Sequence, residues 1–142
     1  MAITQATCTS FKQELLEAVH DFTSHVFKIA LYSDSATLGA GTTVYSTDNE
    51  ITNTSGTAYT AGGKALTTIA PTSSGTVAFV DFDNISWTSA SFTARGALIY
   101  NSSASNKAVA VLDFGSNRVV SDDTFEVQFP VSSATTAVIR IT

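Results

Sequence analysis

The sequence predicts a mainly β protein, an antiparallel β-sandwich or barrel-like domain with one N-terminal amphipathic α-helix. Three observations predict it. Short runs of β-branched and aromatic residues alternate with turn-prone clusters from about residue 26 to the end of the chain, giving roughly seven to nine strands. Charged residues make up only 13% of the chain, about half the usual share, and Ser and Thr replace them, which suits a pleated surface better than a helix. Finally, Ser91–Gly115 holds two strand-like runs, Phe92–Tyr100 and Lys107–Phe114, around the polar turn segment Asn101–Asn106, an antiparallel hairpin. Neither face of its first run is cleanly polar, so the pair belongs at the centre of a sheet or under cover on both sides.

The helix is expected over Thr9 to about Phe22. Phe11, Leu15, Ala18, Val19 and Phe22 recur at helical spacing, with Lys12, Gln13, Glu14, Glu17 and Asp21 facing away. Ser10 and Gln13 fit a capping box, with Thr9 as a competing cap. His20 and His25 share no helical face and read as surface or helix-end histidines. Val26–Tyr32 is the first strand, with Phe27, Ile29 and Leu31 on one face and a mixed, partly exposed opposite face. Ser33–Thr43 is a polar loop, and Val44–Ile51 holds a short edge strand. Asn53–Gly63 is the least regular stretch, and Gly62–Gly63 suits a turn or a positive φ.

Lys64–Ala70 is strand-like and stops at Pro71; Thr72–Gly75 is a turn; Thr76–Phe82 is a strong strand. Ile85–Thr88 is a short extended piece carrying Trp87. Beyond the hairpin, Ser116–Asp123 reads as a polar connection, Thr124–Phe129 as an alternating strand, and Thr136–Thr142 as a closing strand.

The 142 residues make a single domain by size, long enough for one hydrophobic core. A net charge of −5 with seven scattered basic residues leaves no stripe to follow a phosphate backbone, so no nucleic-acid partner is expected. No run approaches the ~20 apolar residues of a membrane span, and the opening MAITQATCTS lacks the basic and apolar parts of a secretory signal, so no membrane partner is expected either. The single Cys8 reads as a small buried residue at the start of the helix.

No catalytic constellation stands out, so the chain reads as a non-enzyme without cofactor or metal. Asp81 and Asp83 share one face of a strand and, paired with Asp113 across a sheet, would offer carboxylates of the kind glycosidases use, but strand-end aspartates more often form turns. Asp34, Asp48, Asp122 and Asp123 lack the spacing of a calcium loop. Triplets at Asn53, Asn84 and Asn101 match the glycosylation pattern by composition alone. Arg95 is the one charge inside the central strand; the structural reading is a guanidinium satisfied by Asp81 or Asp113, the functional one an intersubunit anchor.

The segments TSFKQELLEAVHDF, HVFKIALYSDSATLGAGTTVYSTDNEI, GTAYTAGGKALT, FVDFDNISWTSASFTARGALIYN, KAVAVLDFG and FEVQFP resemble, in this order, a family of small proteins of tailed bacteriophages. FKIALY, YTAGG, TARGALIYN and AVLDFG are the most specific pieces. The resemblance implies a virion structural protein, made in the host bacterial cytoplasm, and transfers no catalytic residue. A capsid decoration (cement) protein that bridges capsomers fits the size and composition, with the major capsid protein or other virion proteins as partners and a homotrimer or homodimer as the expected assembly. A tail, neck or fibre-associated adaptor is the alternative. A carbohydrate-binding module, with Trp87, Tyr59 and Tyr45 as stacking platforms, is a further one. The contact surface is expected in the polar Ser33–Gly63 region, with Tyr45 and Tyr59 as its aromatics, together with the N-terminus.

Overall fold

The computed structural model describes residues 2–52 and 58–142. Its elements are β1 (Ala6–Thr7), α1 (Thr9–Leu16), β2 (Phe27–Tyr32), β3 (Lys64–Ala65), β4 (Thr68–Ser74), β5 (Val77–Phe82), β6 (Ile85–Asn101), β7 (Lys107–Val127) and β8 (Ile139–Ile141). They form two antiparallel sheets, ordered β1-β7-β6-β2-β3 and β4-β5-β8. Both contribute to one core, in which Phe27 of the larger sheet meets Phe82 of the smaller at 6.1 Å between ring centres. The mainly β, sandwich-like fold is therefore the one the sequence predicts.

The hairpin of β6 and β7 is the spine, and it is longer than expected. It absorbs the extended piece around Trp87, the presumed connection Ser116–Asp123 and the presumed separate strand from Thr124. The connection looked like a loop because its residues are exposed, not because the chain leaves the ladder. Irregularities near Ala90 and Phe92, with Ser89 (φ 50°) and Asp122 (φ 46°) in left-handed conformations, let the two strands bend without parting. Only Gly96–Asn101 of β6 also pairs with β2, so the part of the ribbon before Gly96 is two-stranded.

Other boundaries move for identifiable reasons. Helix α1 ends at Leu16 instead of about Phe22, because Ala18 turns left-handed (φ 60°) and the N–H groups of Ala18 and Val19 fold back onto Leu15 and Glu14. Leu16 consequently points to solvent. The N-cap is Cys8 without a side-chain cap, replacing the expected Ser10–Gln13 box; the Cys8 and Thr9 N–H groups bond the carbonyls of Val109 and Ala40. Strand β4 continues through Pro71, which sits where the register with β5 slips between Ile69 and Thr72 and no ladder donor is needed. The turn shrinks to Gly75–Thr76. The edge strand expected over Val44–Ile51 reduces to two isolated bridges, Val44 to Lys107 and Tyr32 to Glu50, and β8 is confined to Ile139–Ile141. β2 is covered on both faces: Ala30 and Tyr32 are as buried as Phe27, Ile29 and Leu31.

Glycine is required at two close approaches. A Cβ on Gly63 (φ 75°) would lie 1.7 Å from the Ile29 carbonyl oxygen. One on Gly96 would lie 2.6 Å from the Leu112 carbonyl oxygen and 2.8 Å from the Ile3 side chain, so Gly96 is the hollow that receives the N-terminal arm.

Candidate functional site

The most organised polar site lies beneath the loop that leads from β2 to β3, and Glu50 is its centre. The Glu50 carboxylate is buried. Its Oε1 accepts the Tyr59 hydroxyl at 2.5 Å and the Gly62 N–H at 2.7 Å, and its Oε2 accepts the Tyr45 hydroxyl at 2.6 Å. The Tyr59 hydroxyl also accepts the Leu31 N–H at 3.0 Å. Tyr100 of β6 donates to the Gly62 carbonyl at 2.7 Å and stacks on Tyr45 with ring centres 4.5 Å apart. Tyr32 donates to the Ser46 carbonyl at 2.6 Å. All four tyrosines of the chain are thus spent on fastening this loop to β2 and β6. Burial, reinforced by the Glu50 charge, raises each of their hydroxyls above the ordinary tyrosine range, Tyr100 to about 12. They act as fixed donors, not as acids.

This arrangement corrects Tyr59 as a surface aromatic of the expected contact loop. Tyr59 is wholly buried and Tyr45 half-buried with its hydroxyl committed to Glu50, so the loop is clasped at its base and Tyr59 has no surface to offer. Asn53 and the stretch up to residue 57 lie outside the described residues. Trp87 is equally buried, with Lys64 Nζ 5.4 Å from its ring centre. Two of the three rings proposed as sugar platforms therefore sit in the core, where no sugar can stack. A double glycine after an aromatic was the visible sequence signal of the clasp; Glu50 gave none, because Tyr45, Tyr59 and Gly62 lie 5, 9 and 12 residues from it and follow no periodicity.

A second polar cluster joins α1, the α1–β2 connection and the β6–β7 turn. The Asn101 amide nitrogen lies 3.0 Å from His20 Nδ1 and 2.9 Å from His25 Nδ1, and Asn101 Oδ1 accepts the Ser103 N–H at 3.0 Å. His20 Nε2 meets Glu14 at 2.9 Å, and Lys107 reaches the other Glu14 oxygen at 3.2 Å. His20 is buried against Phe11 and His25 half-buried, so neither is the free surface histidine expected. Asn101 is wholly buried, which leaves no room for a sugar at that triplet.

Arg95 Nε pairs with Asp113 Oδ1 at 3.2 Å, which selects Asp113 of the two expected partners. Asp113 is held below the ordinary carboxylate range first by the Gly115 N–H and then by Arg95. Asp81 is in the other sheet, wholly buried, with Oδ1 accepting the Phe82 N–H at 2.9 Å and Oδ2 lacking a partner; burial raises its carboxyl. Asp81 and Asp113 therefore have separate structural settings. Cys8 is wholly buried, and burial followed by the Glu14 charge pushes its thiol up to about 11.

Among the described residues, no group of three or more His, Cys, Asp or Glu side chains is placed to hold a metal ion, and no helix is long and apolar enough to cross a membrane. Comparison with protein-family models, with curated proteins and with solved structures finds no match.

Proposed function

We propose that this chain is a non-enzymatic structural protein of a tailed-bacteriophage virion, and specifically a capsid decoration protein that bridges neighbouring capsomers. One observation carries the docking role: the distal half of the β6–β7 ribbon. From Gly115 to Thr124, β7 is exposed apart from the half-buried Val120, and Val119 turns an apolar side chain to solvent with 75% of its surface exposed. In this stretch β7 pairs, among the described residues, with β6 alone, so its outer backbone edge belongs to no ladder among them. The ribbon is rooted in the packed centre of the larger sheet, and the adjacent β2–β3 loop is clasped by Glu50. A ribbon with an outer edge outside any ladder can add a strand to a neighbouring protein across a shell seam.

The resemblance of FKIALY, YTAGG, TARGALIYN and AVLDFG to tailed-phage proteins supplies the particle. These pieces form the scaffold: Leu31, Tyr59, Gly62 and Tyr100 all belong to the clasp. The contact surface is accordingly placed on the ribbon, with the major capsid protein as partner and a homotrimer or homodimer at a symmetry axis as the assembly.

Cryo-electron microscopy of purified particles tests this reading. Hundreds of copies at capsomer seams, touching through Arg118–Thr124, are the expected result. A dozen or fewer copies at the neck or tail would replace decoration with an adaptor role. Absence from the particle would overturn the virion reading altogether.

A further inference from the structure

We propose that Asn101, His20 and His25 form an acid-sensitive latch that fastens the α1–β2 connection to the β6–β7 turn, with His25 as the sensing residue. The inference is independent of the chain's place in a particle.

The argument begins with the orientation of the Asn101 amide. Its Oδ1 accepts the Ser103 N–H, so the nitrogen end faces the two imidazoles. An amide nitrogen carries two hydrogens and no acceptor, so each hydrogen needs a lone pair. Both Nδ1 atoms must therefore be unprotonated, which fixes both rings as the Nε2–H tautomer. For His20 this is self-consistent, because its Nε2–H then donates to Glu14 at 2.9 Å. At His25 the Nδ1 lone pair takes a second donor as well, the Asp21 N–H at 3.2 Å.

A proton on His25 Nδ1 would set an N–H against two other N–H groups. Neither Asn101 nor Asp21 can answer by turning its donor away: Asn101 would lose the Ser103 N–H, and the Asp21 donor is backbone. The charged groups around the cluster are Glu14 from α1, Lys107 from β7 and Asp21 from the connection itself. Glu14 faces His20, already shares its charge with Lys107, and so compensates a cation at His20 better than one at His25. Asp21 lies close to His25, and its carboxylate, kept ionised first by Thr23 and Ser24, favours a cation there by charge; the donor clash at Nδ1 is what opposes it. His20 is sealed in the core, whereas His25 is half-buried and open to protons.

The sign follows. The latch is closed while His25 Nδ1 carries no proton and opens when acid places one there, freeing the bonds that depend on the same junction: the Ser102 N–H to the Val26 carbonyl and the Val26 N–H to Ser103 Oγ.

Two measurements test it on the intact chain. Imidazole 15N NMR at pH 8 is expected to show both rings as Nε2–H tautomers; an Nδ1–H ring at His25 overturns the proposal. Amide hydrogen exchange at pH 7.5 and 5.5, corrected for intrinsic rates, is expected to lose at least tenfold protection at Val26, Ser102 and Ser103, while Leu98 and Ile99 keep theirs. His25→Asn keeps an acceptor near the Nδ1 position and cannot titrate, so it should abolish that acid loss. Equal protection at both pH values in the natural chain, or the same acid loss in His25→Asn, overturns the latch.

Discussion

Tyr59 and Glu50 hold each other in place: the tyrosine hydroxyl donates to the carboxylate at 2.5 Å while accepting the Leu31 N–H at 3.0 Å. One oxygen thus ties the β2–β3 loop to both the clasp and the backbone of β2. Tyr59→Phe removes it and strands a buried N–H and part of a buried carboxylate. The expected cost is about 2–4 kcal/mol, the sum of two such losses. It would be measured as the shift of the denaturant midpoint at constant slope. Glu50→Ala should cost at least as much, because it leaves the Tyr59 and Tyr45 hydroxyls and the Gly62 N–H without their acceptor.

Gly63 tests the backbone half of the same clasp. Its φ of 75° and the 1.7 Å approach of a would-be Cβ to the Ile29 carbonyl oxygen mean that Gly63→Ala must push the loop off β2. Insoluble or unfolded protein is expected. Gly75→Ala also sits at positive φ (62°) but meets nothing within 4 Å, so its cost should be confined to about 1–2 kcal/mol of backbone strain. Comparing soluble yield and melting of the two variants separates conformation from collision.

The contrast explains which features could be read from the sequence. Local chemistry was legible: the β-branched and aromatic runs that make β2 and β5, the turn residues Asn101–Asn106, and the glycine pair at 62–63. Features set by tertiary context were not. Ser116–Asp123 is polar because its side chains, Val120 apart, are exposed to water, and polarity alone does not distinguish an exposed strand from a loop. Ala18 ends α1 against its own helix propensity, since carrying the chain back towards Asn101 wins over one more turn. His20 and His25 acquire their roles from Asn101, 81 and 76 residues on, and Glu50 from Tyr45, Tyr59 and Gly62 at 5, 9 and 12 residues' separation, which match neither a helical nor a strand period, so no spacing rule could assemble either cluster.

Arg95 separates a structural charge from an anchor. The pair with Asp113 leaves 32% and 26% of the two side chains exposed, and a pair this open is screened by water and adds little to stability. Arg95→Ala should melt within about 4 °C of the natural chain. Arg95→Glu, which sets like charges together, should be worse than alanine, and the difference should shrink in 1 M salt. A large loss of stability in Arg95→Ala would mean that the guanidinium does more than balance Asp113.

Asp81 predicts stability that changes with pH in an unusual direction. Its carboxyl is wholly buried with Oδ2 unpartnered, and burial raises its pKa above the ordinary value despite the Phe82 and Val138 N–H groups. The folded protein therefore binds this proton more tightly than the unfolded chain. The sign is fixed by linkage: this group's contribution is most favourable below the unfolded value near 3.8, and is lost progressively as pH rises through the folded one. Asp81→Asn keeps an oxygen for the Phe82 N–H and cannot ionise. Its melting temperature should match the natural chain near pH 4 and exceed it at pH 8, the gap opening with pH. A gap that is the same at both pH values would show that folding does not raise the Asp81 carboxyl above its unfolded value, and a lower melting temperature for Asp81→Asn at pH 8 would show that the ionised carboxylate is stabilised where it stands.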